Sequence, residues 1–144
     1  MRTLIDTNIL IYAINQDAPQ HRKAAAFLEK TLNGNDSWCL TWVNIYEFLR
    51  LITDPRILSK PLSSHDAIEE TRKFLEHPRL QVLVETERHA EALRKSIAIS
   101  GIVRGIFFHD CHIAALLWEH DVRRIATADT DFRKFPFLEV LDPT

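Results

Sequence analysis

What most constrains the fold is an alternation along the chain. Short apolar, β-branched segments each give way within a few residues to longer stretches of helical period. Residues 2–5 (Arg2-Thr3-Leu4-Ile5) have strand character, and residues 7–14 read as helix. After Pro19, residues 21–32 set Ala24, Phe27, Leu28 and Leu32 at helical spacing, and Asn33-Gly34-Asn35-Asp36 is a stop and turn. Residues 37–41 read as a strand and 42–53 as a strongly apolar helix, ended by Asp54-Pro55 and a loop to Pro61. Ser63-Ser64-His65-Asp66 has the form of a capping box, opening a helix that stops at His77-Pro78. The remainder reads as strand 80–84, helix 87–100, loop 101–105, helix 108–120, strand 124–128, turn 129–132 and strand 138–141. This order predicts an α/β fold, a parallel sheet of short strands with helices on both faces.

No Ser/Gly-rich linker, repeat or biased tract divides the 144 residues, so a single domain over 1–144 is expected. Cys39 and Cys111 lie far apart with no CxxC spacing, which indicates neither a disulfide framework nor a thiol-rich zinc site. The apolar runs are short of a membrane span and no signal segment is recognisable, so a soluble, cytoplasmic protein is expected.

The chemistry is carried by the positions of the acids. Asp6 follows the first strand and opens a helix, and Asp129 follows a later strand. Ligands of open parallel sheets bind beyond the carboxyl ends of the strands, so both are candidates for one crevice. Asp110 falls in the first turn of its helix, where free N–H groups favour a carboxylate. Taken singly, each of these three is explained as an N-cap or turn residue. Glu47 is harder to dismiss, because it lies between Val43 and Leu51 on a helix apolar on most sides, which predicts burial. A carboxylate there needs either a salt bridge, for example with Arg50, or a metal ion. Clustered carboxylates repel unless a cation sits among them, and an all-oxygen set suits Mg²⁺ or Mn²⁺.

Net charge is −2, but setting aside Asp6, Glu47, Asp110, Asp129 and Asp131 leaves 18 basic against 15 acidic residues. A mildly basic rim around an acidic hole is compatible with a phosphodiester held through metal ions. Arg104, Arg123, Arg124, Arg133 and Lys134 flank the expected pocket in sequence and are candidates for phosphate contacts, with a solvated surface the plainer account of any one. His109 and His112 lack the i, i+4 spacing of a helical zinc pair, and the oxygen-rich company argues against zinc there. Trp38, Trp42 and Trp118 are better explained by core or interface packing than by base stacking. Neither a GxxxxGK[ST] loop nor a GxGxxG fingerprint occurs. An aspartyl-phosphate enzyme of the dehalogenase type would want a second Asp where this chain has Asn8.

Four stretches together resemble the PIN-domain family, and within it the VapC-type toxins of toxin–antitoxin pairs. They are Leu4-Ile5-Asp6-Thr7-Asn8-Ile9-Leu10, Tyr46-Glu47-Phe48-Leu49-Arg50, His109-Asp110-Cys111-His112-Ile113-Ala114-Ala115-Leu116 with Glu119-His120, and Thr127-Ala128-Asp129-Thr130-Asp131-Phe132 with Phe135-Pro136 and Asp142-Pro143. The resemblance implies a three-layer α/β/α ribonuclease using Mg²⁺ or Mn²⁺. It implies Asp6, Glu47, Asp110 and Asp129 as the acidic quartet, Asp131 as a further acid at the rim, and Thr7, Asn8 and Thr127 as residues orienting the carboxylates. It also implies a transfer-RNA or ribosomal-RNA substrate, a small antitoxin partner and a homodimer. Cys111 stands where the family usually has Ala, and a packing role is expected for it. The rival from another class is a PIN-like protein that has lost activity and only binds a partner.

Overall fold

The computed structural model describes residues 1–101 and 104–144, so residues 102 and 103 of the loop expected over 101–105 lie outside the described residues. The elements are β1 (Thr3–Ile5), α1 (Thr7–Ile14), α2 (His21–Asn33), β2 (Trp38–Thr41), α3 (Trp42–Ile52) and α4 (Ser64–Leu75). They continue with β3 (Leu80–Leu83), α5 (His89–Ser100), α6 (Phe107–Glu119), β4 (Arg124–Ala126), a 3₁₀ turn (Thr130–Lys134) and β5 (Glu139–Leu141). All five strands pair in parallel in the order β3-β2-β1-β4-β5, with Leu4 opposite both Cys39 and Ile125. The expected α/β architecture is therefore the observed one.

Pleating assigns the two faces. Leu4 and Cys39 point into a core built with α6 (Ala114, Leu117), together with Ile125 and Phe132. Their neighbours Ile5, Trp38 and Leu40 point into a second core with Ile9 of α1 and with Ile45 and Phe48 of α3. Trp38 has no exposed surface and donates its indole N–H to His77 Nδ1 at 3.0 Å, so its packing role is the observed one. Cys39 and Cys111 are both free and buried in the first core; burial pushes the Cys39 thiol up to about 11 and that of Cys111 upward too, as inert packing groups.

Local capping starts two of the helices where expected. Asp6 caps α1, and Ser63 caps α4 by accepting from Asp66 N. Two expectations are corrected. The expected turn at 129–132 is a 3₁₀ helix capped by Asp129, and β4 stops at Ala126, so Asp129 lies three residues beyond the strand. α3 is not buried all round: Asn44, Ile45, Phe48 and Ile52 face inward, while Trp42 and Tyr46 are 46% and 70% exposed. The sheet covers only one side of that helix, and Trp and Tyr can bring a polar tip to water, so apolar composition overstated its burial.

The chain runs from β1 outward to β3, then returns through α5 and α6 to place β4 on the other side of β1. The order reverses between β1 and β4. Asp6 leaves the end of one of these strands, and Thr127 and Asp129 leave the end of the other, so the switch-point crevice receives them together.

Candidate functional site

Asp6 is the floor of this crevice. It is only 8% exposed, and its carboxylate is surrounded by donors from three elements. Oδ1 accepts from Thr7 N (2.8 Å) and Asn44 Nδ2 (3.3 Å); Oδ2 accepts from the Thr127 hydroxyl (2.7 Å) and Asn8 Nδ2 (3.2 Å). Asn8 also donates to Thr127 Oγ1 and accepts from Ala128 N, lacing α1 to the end of β4. Thr127 Oγ1 further accepts from Asp129 N at 2.9 Å. Thr7, Asn8 and Thr127 thus all contact this network.

Asn44 was not anticipated. It is fully buried, holds Thr41 through Oδ1 and donates from Nδ2 to Asp6 and Thr7. The signal was present as Thr41-x-x-Asn44 at the strand-to-helix junction, a reciprocal cap in which Asn takes the place of Glu or Gln. It ties the start of α3, and with it Glu47, to Asp6.

Above this floor lies a cleft of about 710 Å³ whose wall includes Glu47, His109, Asp110, Asp129 and Asp131. Carboxylate oxygens of Asp110, Asp129 and Asp131 lie within 4.8 Å of one another. Asp131 therefore belongs to the same cluster as Asp110 and Asp129, although Lys134 Nζ stands 3.5 Å from it. Glu47 is half-buried with no ion pair among the described residues, so a direct salt bridge with Arg50 is not formed. Its carboxyl is pushed up by burial and Asp129, against the lowering influence of Arg50 and His109.

The electrostatics are those of a site short of positive charge. Burial, aided by Glu47 and Asp129, raises Asp6 to about 6 despite its hydrogen bonds. Asp110 is raised to about 7, by burial first and then by Asp129, Asp6, Asp131 and Glu47. Removing one donor sharpens the strain: Thr127→Val leaves Asp6 Oδ2, Asn8 and Asp129 N each short of a partner. It is expected to raise the Asp6 pKa further and to cost about 1–3 kcal/mol of stability, read by chemical denaturation at pH 7.5.

The basic residues divide. Arg123 and Arg124 do not flank the cleft: they sit at the amino end of β4, paired with Asp121 (3.0 Å) and Glu139 (3.1 Å), whereas the acids lie beyond its carboxyl end. Nearness in sequence misled here because β4 lies between them and Asp129. Arg50, which is not among those phosphate candidates, does line the cleft. So do Trp42 and Tyr46, whose rings stand 6.3 Å apart at 49°, so Trp42 is not a core residue. Trp118 is partly exposed beneath Arg88 and Lys95, 4.8 and 4.3 Å from its ring centre. His109 and His112 both line the cleft, and His112 Nε2 lies 2.6 Å from Glu85. No helix described is long and apolar enough to cross a membrane.

A family model described as PIN domain matches residues 3–138. Among relatives, Ribonuclease VapC33 of Mycobacterium tuberculosis is 35% identical over 138 residues, spanning 96% of this chain and 95% of that protein. Ribonuclease VapC48 of the same organism is 30% identical over 143 residues, 99% and 98% of the two chains. The fold is similar to VapBC2 from Rickettsia felis, solved bound to a DNA fragment from its promoter, with TM-score 0.66, 20% identity and coverage of 97% of each chain. It is also similar to Mycobacterium tuberculosis VapC20, described as a sarcin-ricin loop cleaving toxin, with TM-score 0.69, 16% identity and coverage of 96% and 98%.

Proposed function

The chain belongs to the PIN-domain family, and from that premise we propose that it is the ribonuclease toxin of a toxin–antitoxin pair, hydrolysing RNA phosphodiesters with Mg²⁺ or Mn²⁺. The observation that carries this reading is the convergence of Asp6, Glu47, Asp110, Asp129 and Asp131 on one crevice, with Asp6 and Asp110 held near neutrality by burial and mutual repulsion. Such a donor set fits a hard divalent cation: all ligands are oxygen, several are charged, and the repulsion is what a bound cation would relieve. Asp110, Asp129 and Asp131 would hold it, with Asp6 and Glu47 reached directly or through water. When bound, the ion polarises the phosphoryl oxygens and makes a water a competent nucleophile at neutral pH.

The chain's own residues do the rest. Thr127, Asn8 and Asn44 fix the Asp6 carboxylate so that it does not reorganise as charge moves. Asp129, held by its cap on Asp131 N, aims its carboxylate by the same means. Arg50 supplies positive charge for the backbone on the cleft wall, and Trp42 and Tyr46 offer faces on which unpaired bases can stack. The intact set of acids disfavours a protein that only binds, and Asn8, committed to Asp6 and Ala128, leaves no second acid for an aspartyl-phosphate mechanism.

The antitoxin belongs to the same proposal. Tyr46, Leu49 and Ile68 line an apolar groove between α3 and α4, a surface of the kind that takes a partner helix. Homodimer formation and a transfer-RNA or ribosomal-RNA substrate complete the reading by family likeness. The test is incubation of purified protein with total RNA in Mg²⁺, Mn²⁺ or EDTA, with sequencing of the ends. Discrete cuts with either ion and none with EDTA are expected; cuts of equal rate in EDTA would overturn it.

A further inference from the structure

Beside the acidic cleft stands a cluster of different chemistry. Glu85 follows β3, His89 opens α5 and His112 lies on α6. Each offers one ligand atom, and the three atoms lie within 4.8 Å of one another. His112 Nε2 is 2.6 Å from Glu85 Oε1, and the two imidazole rings are 5.3 Å apart at 63°.

Behind them is Glu119, whose side chain has no exposed surface. Its Oε1 lies 2.8 Å from His89 Nδ1, and its Oε2 accepts from the Thr86 hydroxyl (2.7 Å) and Thr86 N (3.3 Å). A buried carboxylate so placed draws the proton to Nδ1 and leaves Nε2 of His89 with the free lone pair. That is how histidine ligands of metal centres are oriented: a carboxylate behind the ring fixes the tautomer and raises the basicity of the other nitrogen.

We propose that Glu85, His89 and His112 form a second cation site, selective for Zn²⁺ or a like borderline transition ion. Two imidazoles and one carboxylate favour such ions, whereas the all-oxygen cleft favours Mg²⁺ or Mn²⁺. The two sites thus sort metals by donor type. The side chain of Glu85 is 49% exposed and that of His112 33%, so the cluster opens to solvent and leaves a position for water as fourth ligand. Loading replaces the direct His112–Glu85 contact and joins the β3–α5 connection to α6, the helix that carries Asp110.

The probe is Co²⁺, titrated into tag-free protein in excess Mg²⁺ and read by visible absorption, with Zn²⁺ then displacing it in competition with a chromogenic chelator. One Co²⁺ per chain with the intense bands of a four-coordinate nitrogen–oxygen site is expected, unchanged in Asp110→Asn and His109→Ala. His89→Ala and His112→Ala abolish the bands, and Glu119→Gln weakens binding about ten- to a hundredfold. Because Glu119 is buried, Glu85→Gln serves as the variant at an exposed ligand and weakens binding without affecting the fold. Bands that persist in His112→Ala, bands that vanish in Asp110→Asn, or no bands at millimolar Co²⁺ would each overturn the proposal and leave His89–Glu119 and His112–Glu85 as structural hydrogen-bonded pairs.

Discussion

Asp110→Asn abolishes metal-dependent RNA cleavage, lowering the rate by at least about a hundredfold, and leaves the protein folded. The substitution is nearly isosteric, and no hydrogen bond to the Asp110 carboxylate is formed among the described residues, so only charge is removed. Asp6→Asn has the same effect on cleavage by a less clean route. Both Asp6 oxygens accept hydrogen bonds, so an amide nitrogen must displace one donor, and part of the loss is positional. Single-turnover cleavage of an identified substrate at saturating Mn²⁺ measures both. Expressed without an antitoxin, the wild-type chain arrests growth and Asp6→Ala relieves the arrest. Equal toxicity from the variant, or cleavage by Asp110→Asn within a few-fold of wild type, would remove the acidic cleft from the mechanism.

The features legible beforehand were the ones written locally. A β-branched run followed by Asp and a helical period announces a strand end and a cap, so Asp6 could be placed at the carboxyl edge of a sheet before its partners were known. Asp129 is marked by the end of a later strand, and Asp110 by its position in the first turn of a helix. What stayed hidden depends on pairing across the fold. Asn44 looked like one polar residue on an apolar helix until α3 was seen to begin beside Asp6. Glu85, His89 and Glu119 lie on three segments that only the packing of α5 on α6 brings together. Arg123 and Arg124 show the converse: a strand separates its two ends, so five residues from Arg124 to Asp129 lead from one edge of the sheet to the other. Composition misjudged α3, because counting apolar residues does not distinguish a buried ring from one lining an open cleft.

The metal-free protein becomes less stable as pH rises from about 4 to about 7, and a divalent cation reverses the trend. Asp6 and Asp110 titrate near 6 and 7 in the fold, against 3.8 in the unfolded chain. Between those limits the native state binds more protons than the unfolded one, so each step up in pH favours unfolding. Full ionisation of Asp6 opposes folding by on the order of 3 kcal/mol; Asp110, more open to solvent, adds less than its shift suggests. The carboxylates lowered by ion pairing, such as Asp54 and Glu69, act the other way, but their contribution is lost only below about pH 4, outside this window. A cation binds the ionised cleft alone, so it adds little stability at pH 5. At pH 8 and a hundredfold excess over Kd it adds about 2.7 kcal/mol, a rise in Tm of roughly 5–10 °C for a chain of this size. Asp110→Asn removes part of the repulsion, so the metal-free variant is more stable than wild type at pH 8 and gains less from Mg²⁺. Calorimetry of both proteins at pH 5 and pH 8, with Mg²⁺ and with EDTA, separates the cleft from every titrating group they share. A metal-induced rise of equal size at the two pH values would mean that these carboxylates are not what the cation neutralises.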